Sequence, residues 1–341
     1  MSRFDLRPPA FWFAGQPGLA ACLLWPAARV TAAITRRRIA RPGWRAPVPV
    51  ICCGNLSAGG TGKTTLALDL LARLKARGVA VHALTRGYRG TASGVLRVDP
   101  ERHDATLVGD EPLLLAAVAP TWVGADRAAS ARAAIAAGAG CLLMDDGMQN
   151  PTLVQDCTLV VIDGATGFGN GRVLPAGPLR EPVEAGTARA RAAVLIGPDR
   201  RGAATGLPPG LPVLRAGLAM APEAAALRGT RLLAFAGIGR PGKFFDALRA
   251  LDLELVAAHG FPNHHPYRPA ELARLRNQAH ALGARLVTTP KDAVRLPAAF
   301  RRDVTALGVG LLWADPAVVE TLLDEVLEAT GTVPRTGKPR R

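Results

Sequence analysis

Cysteine is sparse and unpatterned in this sequence. The five cysteines, at 22, 52, 53, 141 and 157, form no CxxC pair and no ligand spacing with histidine. That argues against a disulfide frame and a zinc site, and for a reduced, cytosol-facing compartment. Lysine is scarce too, with only five among 42 basic residues, so arginine carries most of the net charge of +15. Part of that basicity is compositional; the rest points to an anionic partner such as a nucleotide, nucleic acid or an anionic membrane surface. No fixed-period repeat is present. At 49% hydrophobic and 20% charged residues the composition excludes disorder except at the ends. A chain of 341 residues is long enough for two α/β units with buried cores.

Charge is absent altogether from residues 8–28, "PPAFWFAGQPGLAACLLWPAA", and a basic cluster follows, with arginines at 29, 36, 37, 38, 41 and 45. An apolar stretch with a basic flank is the pattern of a membrane-seated segment facing the cytoplasm. Gly15, Pro17, Gly18 and Pro26 interrupt it, so shallow insertion is as consistent with the pattern as a span. A cleaved signal peptide fits poorly, because Asp5 offsets Arg3 and Arg7 in the n-region.

Beyond this leader, strand and helix patterns alternate. "VPVICCGN" (48–55), "VAVHALTRG" (79–87), "CLLMDDG" (141–147) and "LVVID" (159–163) read as strands, with helices over 62–78, from about Asp110, and over 126–138. Such spacing predicts a parallel sheet covered on both faces. A Gly- and Pro-rich loop occupies 164–182, and a second strand-helix series starts near 192. The expected organisation is a membrane-associated segment (1–45), a phosphate-loop NTPase-like domain (46–190), a smaller second α/β domain (191–331) and a basic tail (332–341).

Residues 57–64 read S-A-G-G-T-G-K-T against the phosphate-loop pattern G-x-x-x-x-G-K-[ST], with the required strand before and helix after. Ser57, Ala58, Gly59, Gly60, Thr61 and Gly62 would turn backbone N–H groups toward a phosphate at a helix N-terminus. Lys63 would reach the β- and γ-phosphates of ATP, and Thr64 would ligate Mg²⁺. Ser57 stands where glycine is usual, which requires backbone angles open to an L-residue. Asp145 and Asp146, at the end of a strand, have the position of metal-holding carboxylates. A structural role as a capped strand end is the alternative. Ala58 occupies the place of the extra lysine found in dimerising switch ATPases of the KGGxGKTT type, which demotes a partitioning ATPase.

"VPVICCGNLSAGGTGKTT", "TRGYRG", "GDEPLLLA", "DDGMQN", "GNGRVLPAGPLREP", "FPNHHPY" and "TTPKDAVRL" occur in that order, and together the chain resembles the tetraacyldisaccharide 4′-kinases of lipid A biosynthesis. The resemblance covers nearly the whole chain. It implies transfer of the ATP γ-phosphate to the 4′-hydroxyl of tetraacyldisaccharide 1-phosphate, giving lipid IVA at the cytoplasmic face of the inner membrane. By the same resemblance, Asp110 is a catalytic aspartate, His264 its partner histidine, and Arg86, Tyr88 and Arg127 lie near nucleotide or lipid. The implied partners are the lipid disaccharide and the membrane surface, with no nucleic acid and no obligate protein. Asn263, Asn150 and Pro290 depart from the family pattern of Asp, His and Glu at those places. From the residues alone, Arg180 and Glu181 either line an acceptor site or pair with each other. The rival functions are an ATP-dependent carboxylate ligase, which offers no reason for residues 8–45, and a nucleotide-gated metallochaperone or partitioning protein, against which Ala58 and the lack of clustered metal ligands count.

Overall fold

Short, mostly apolar runs form the strands of a largely parallel framework. The computed structural model describes residues 8–16, 18–239 and 241–329; the expected tail at 332–341 lies outside them. In chain order the strands are β1 (Val50–Gly54), β2 (Val81–Thr85), β3 (Leu96–Arg97), β4 (Thr121–Val123), β5 (Cys141–Asp145), β6 (Cys157–Asp163), β7 (Ala192–Ile196) and β8 (Val213–Met220). They continue as β9 (Leu232–Ala236), β10 (Leu255–Gly260), β11 (Arg285–Thr288), β12 (Val304–Ala306) and β13 (Val309–Trp313). A nine-stranded sheet has the order β13-β8-β7-β6-β1-β5-β2-β4-β3, and a four-stranded sheet has the order β10-β9-β11-β12. Pairing is parallel except at the two edges of the larger sheet, where β13 and β3 run antiparallel to their neighbours.

The expected division at residues 190 and 191 does not coincide with the division between the sheets. β7 and β8 belong to the larger sheet, and the chain returns to that sheet through β13. The reason is burial: Ala192–Ile196 is apolar throughout and fully buried, so it pairs on both sides, with β6 and with β8. The C-terminal helix Pro316–Ala329 then packs into the same core as the helix Lys63–Ala76. Arg73 of the latter and its C-cap residue Arg77 both pair with Glu320 of the former. Leu66, Leu70 and Leu74 face inward and are fully buried, each side chain contributing roughly 1.5–3 kcal/mol of burial. The two faces of the larger sheet carry separate apolar clusters, as do the two faces of the smaller one.

In the leader, Leu19–Leu23 and Trp25–Ile39 are helical. Ala21 and Ala28 pack inward, whereas Leu19, Leu23, Val30 and Ile34 are 60–79% exposed. Leu19 and Leu23 are four residues apart on the first helix, and Val30 and Ile34 four apart on the second, so each helix presents an exposed apolar pair. Among the described residues no helix is long and apolar enough to cross a membrane. The break at Leu24, followed by Pro26, divides the apolar stretch into two helices.

Candidate active site

The loop from Asn55 to Gly62 joins β1 to the helix that begins at Lys63. Gly59 and Gly62 adopt φ of 128° and 93°, angles that side-chain-bearing residues rarely take. Ser57 is absent from the residues with positive φ. It pairs as an extended bridge with Leu179, while the Ala58 N–H donates to Pro178 O at 2.7 Å and the Arg180 N–H to Leu56 O at 2.6 Å. The "LPAGPLREP" loop therefore lies against the phosphate loop as a short extra strand. Extended backbone at this position accepts serine without strain.

β1 and β5 are neighbours, with Cys53 opposite Asp145, so both Asp145 and Asp146 emerge beside the loop. The two carboxylates have different surroundings. Asp145 is 1% exposed, and neither of its oxygens has a hydrogen-bond partner among the described residues. Burial, then the negative charge of Glu111, push its pKa up to about 7 against the opposing pull of Lys63. Asp146, held at φ 58°, accepts both ends of the Arg180 guanidinium, at 2.8 and 3.2 Å. It also lies 3.8 Å from Lys63 Nζ. Burial would raise its pKa, but the Lys63 and Arg180 charges prevail and hold it below the usual carboxylate range.

Arg180 and Glu181 therefore do not pair with each other. Glu181 is buried, takes a two-point contact from Arg189 at 2.9 Å, and accepts from Gln149. Gln149 donates to Asn55 O as well, tying this network to the start of the phosphate loop.

Asp110 is the first residue of the helix Asp110–Ala116; the residue capping that helix is Gly109. His264, at φ 57°, reaches Asp110 across the gap between the sheets, with Nδ1 2.7 Å from Oδ2. Burial raises the Asp110 pKa, yet the His264 hydrogen bond and the charges of Arg295 and Lys291 outweigh it and hold the carboxyl below its ordinary range. Lys291 pairs with Glu111 at 3.0 Å. The second sheet thus contributes its groups from beyond the carboxyl ends of β10 and β11, the usual location of ligand crevices in parallel sheets.

Of the residues the resemblance placed near nucleotide or lipid, Arg127 is 2% exposed and donates to Gly124 O, and burial brings its pKa down to about 10. Arg86 and Tyr88 are exposed. Asn150 accepts from the Thr152 N–H and hydroxyl at 2.9 and 2.7 Å, and the Thr152 hydroxyl accepts the Arg127 N–H at 3.1 Å, beside the N-cap Asp126 of that helix. Pro290 sits at the first position of a short helix capped by Thr289, where its missing N–H costs nothing. Sequence reasoning missed the Arg180–Asp146 clamp, the Lys291–Glu111 bridge and the Arg295–Asp110 contact. Lys291 lies on the short helix Pro290–Ala293 and Arg295 in the turn just after it, so only their closeness in "TTPKDAVRL" was a signal in the sequence.

A family model for the tetraacyldisaccharide-1-P 4′-kinases, LpxK, matches residues 20–328. The chain belongs to this family. It is 62% identical to the tetraacyldisaccharide 4′-kinase of Gluconacetobacter diazotrophicus, covering 95% of this chain and 99% of the relative. The corresponding protein of Rhodospirillum centenum is 56% identical over 94% and 97% of the two chains. The crystal structure of LpxK from Aquifex aeolicus in complex with ATP superposes with a TM-score of 0.73 at 26% identity, covering 90% of this chain and 99% of that one.

Proposed function

We propose that this lipid A 4′-kinase transfers the γ-phosphate of ATP to the 4′-hydroxyl of tetraacyldisaccharide 1-phosphate with Asp110 as general base. The observation that carries the reading is the 2.7 Å contact between Asp110 and His264, joining the two sheets beside a phosphate loop. A sugar hydroxyl is a weak acid and needs an aligned base. An ionised Asp110 supplies one, and His264 fixes its orientation. The loop N–H groups and Lys63 would bind the phosphates, and Asp146, itself clamped by Arg180, would steady Lys63.

A divalent cation fits Asp145, whose two buried oxygens lack partners, with the Thr64 hydroxyl nearby. No cluster of three or more His, Cys, Asp or Glu side chains suited to a metal occurs among the described residues. Phosphate and water would complete the ion's shell. When bound, Mg²⁺ supplies positive charge to the phosphate oxygens.

The exposed pairs Leu19 and Leu23, and Val30 and Ile34, flanked by Arg29 and Arg36–Arg38, suit two short helices lying in the headgroup region of the inner membrane's cytoplasmic face. A four-chain acceptor stays in the bilayer, so a kinase seated there meets it directly.

The decisive assay supplies γ-labelled ATP and tetraacyldisaccharide 1-phosphate in detergent micelles. We expect one added phosphate, located at the 4′ position by NMR. ADP formed without phosphorylated lipid would favour the ligase or ATPase alternatives and overturn the kinase reading.

A further inference from the structure

A hydrogen bond and an ion pair converge on one oxygen of Asp110. His264 Nδ1 is 2.7 Å from Oδ2, and the Arg295 guanidinium brings Nε to 3.1 Å from the same atom, as a charge contact outside hydrogen-bond geometry. Among the described residues no hydrogen bond ends on Oδ1. The Arg295 side chain is only 6% exposed, so its charge is spent inside the protein. Its Nη1 donates to Gly237 O at 3.1 Å and pairs with Asp292 at 3.2 Å. Asp292 is completely buried and accepts from the Gly237 N–H at 2.8 Å, the Tyr267 hydroxyl at 2.6 Å and the Thr289 hydroxyl at 2.5 Å.

Gly237 is the common anchor. Its carbonyl also accepts the His264 N–H at 2.9 Å, so one peptide group fixes both groups that reach Asp110. A Cβ on Gly237 would lie 3.0 Å from Pro262 O and 3.1 Å from an Asp292 oxygen, too close for a side chain without a shift. A guanidinium buried this deeply needs fixed carboxylates and carbonyls in place of its water; Nη1 has them, whereas Nη2 and Nε have no hydrogen-bond partner among the described residues and rely on the nearby carboxylate charge. Here those groups orient it toward the carboxylate of the other sheet.

We propose that Arg295 is a positioning residue for phosphoryl transfer: with His264 it pins Asp110 Oδ2, leaving Oδ1 as the oxygen that takes the acceptor proton. The proposal rests on Asp110 being the base. In the step it serves, Oδ1 takes the proton of the acceptor hydroxyl as that oxygen bonds to the γ-phosphorus. The bond from the γ-phosphorus to the β,γ-bridging oxygen breaks, and its electron pair leaves with ADP. The His264 hydrogen bond and the Arg295 charge on one oxygen restrict the carboxylate's rotation, and misplacement of a reacting group by about 1 Å costs on the order of 10²-fold in rate.

The titratable and charged groups facing Asp110 are His264, Arg295 and Lys291 from the segments after β10 and β11, with Glu111 on its own helix and Asp292 behind Arg295. Removing the Arg295 cation leaves burial less opposed, so the Asp110 pKa rises and the acidic limb of turnover moves to higher pH.

The test is steady-state kinetics of the full-length protein in detergent from pH 5 to 9, with melting temperature measured alongside. Arg295→Met should lower kcat about 10- to 100-fold, leave the KM for ATP within about threefold, and shift the acidic limb upward. Arg295→Lys, which restores the charge, should recover most of the turnover and return the limb. If the methionine variant does not fold, Arg295→Gln keeps a donor without the charge and is judged by the same limb. An acidic limb that stays in place, with kcat within twofold of the parent in a folded neutral variant, overturns the positioning role even if the melting temperature falls. Asp110→Ala separates this from the underlying reading. If it retains turnover, the base assignment fails; if it is inactive while Arg295→Met is normal, only the role of Arg295 is lost.

Discussion

On one side of the cleft, the groups that face a phosphate are eight consecutive residues, Ser57 to Thr64, at the end of one buried strand. On the other side, His264, Lys291 and Arg295 come from separate segments after β10 and β11 and meet only because a parallel sheet brings those strand ends together. The first side is local in sequence and relies on glycine conformations. The second is assembled over long range, with His264 held at φ 57° by a bond to Gly237. A local loop tolerates substitution wherever its backbone permits the new residue. A long-range constellation fails as a unit when one anchor is lost.

The sharpest way to break this contrast is a double-mutant cycle across the cleft. Asp110→Ala should lower kcat by about 10² to 10⁴, the range for loss of a general base. His264→Ala should act in the same direction. The combined variant should be little worse than the weaker single one, because the pair works as one unit. Single-turnover rates with saturating ATP and lipid measure this. Strictly multiplicative losses would show two independent groups and dissolve the distinction between the two sides.

The same contrast explains what was legible beforehand. The phosphate loop, its flanking strand and helix, and the strand-end aspartates follow from contiguous pattern. The pairing of Asp110 with His264 came from family resemblance, since nothing local in "GDEP" or "PNHHP" announces the other. The division between the sheets was misplaced because β7 and β13 look like any buried strand; which sheet a strand joins is set by non-local pairing, to which periodicity is blind. The contrast between Asp145 and Asp146 was equally hidden. It depends on Arg180, which arrives from a loop that the sequence shows only as rigid and proline-rich.

That contrast gives an intermediate effect. Asp145 has a pKa near 7 in the folded protein, above its unfolded value. Between about pH 4 and 7 the folded state therefore holds a proton that the unfolded state has lost, and stability falls as pH rises through this window. The cost is absent below it and fully present above pH 7. Without divalent cations, Asp145→Asn should therefore be more stable than the parent above pH 7, by about 1–3 kcal/mol. The two should converge near pH 4. Melting curves in chelator across that range measure this. A parent curve that stays flat from pH 4 to 8 would mean Asp145 is solvated or paired, and the cation site would lose its main support. Asp146→Asn should show the opposite dependence, because its folded pKa lies below the unfolded one.

The smallest effect is expected at Ser57. Its φ is not positive, and its carbonyl accepts from the Asn55 side chain at 2.6 Å. Its backbone also pairs with Leu179 of the proline-rich loop. All of these are backbone features that glycine also supplies. Ser57→Gly should therefore leave turnover within about twofold of the parent while lowering stability by about 0.5–1 kcal/mol, the usual entropic cost of glycine in extended structure. Lys63→Ala is the counterpart in the same loop. It removes the loop's own cation, 3.8 Å from Asp146, and should lower turnover by at least about 10². Both variants can be compared by kcat under saturating substrate and by melting temperature. If Ser57→Gly loses turnover on the scale of Lys63→Ala, the hydroxyl itself contacts the reacting groups, and the local side of the cleft is as exacting as the assembled one.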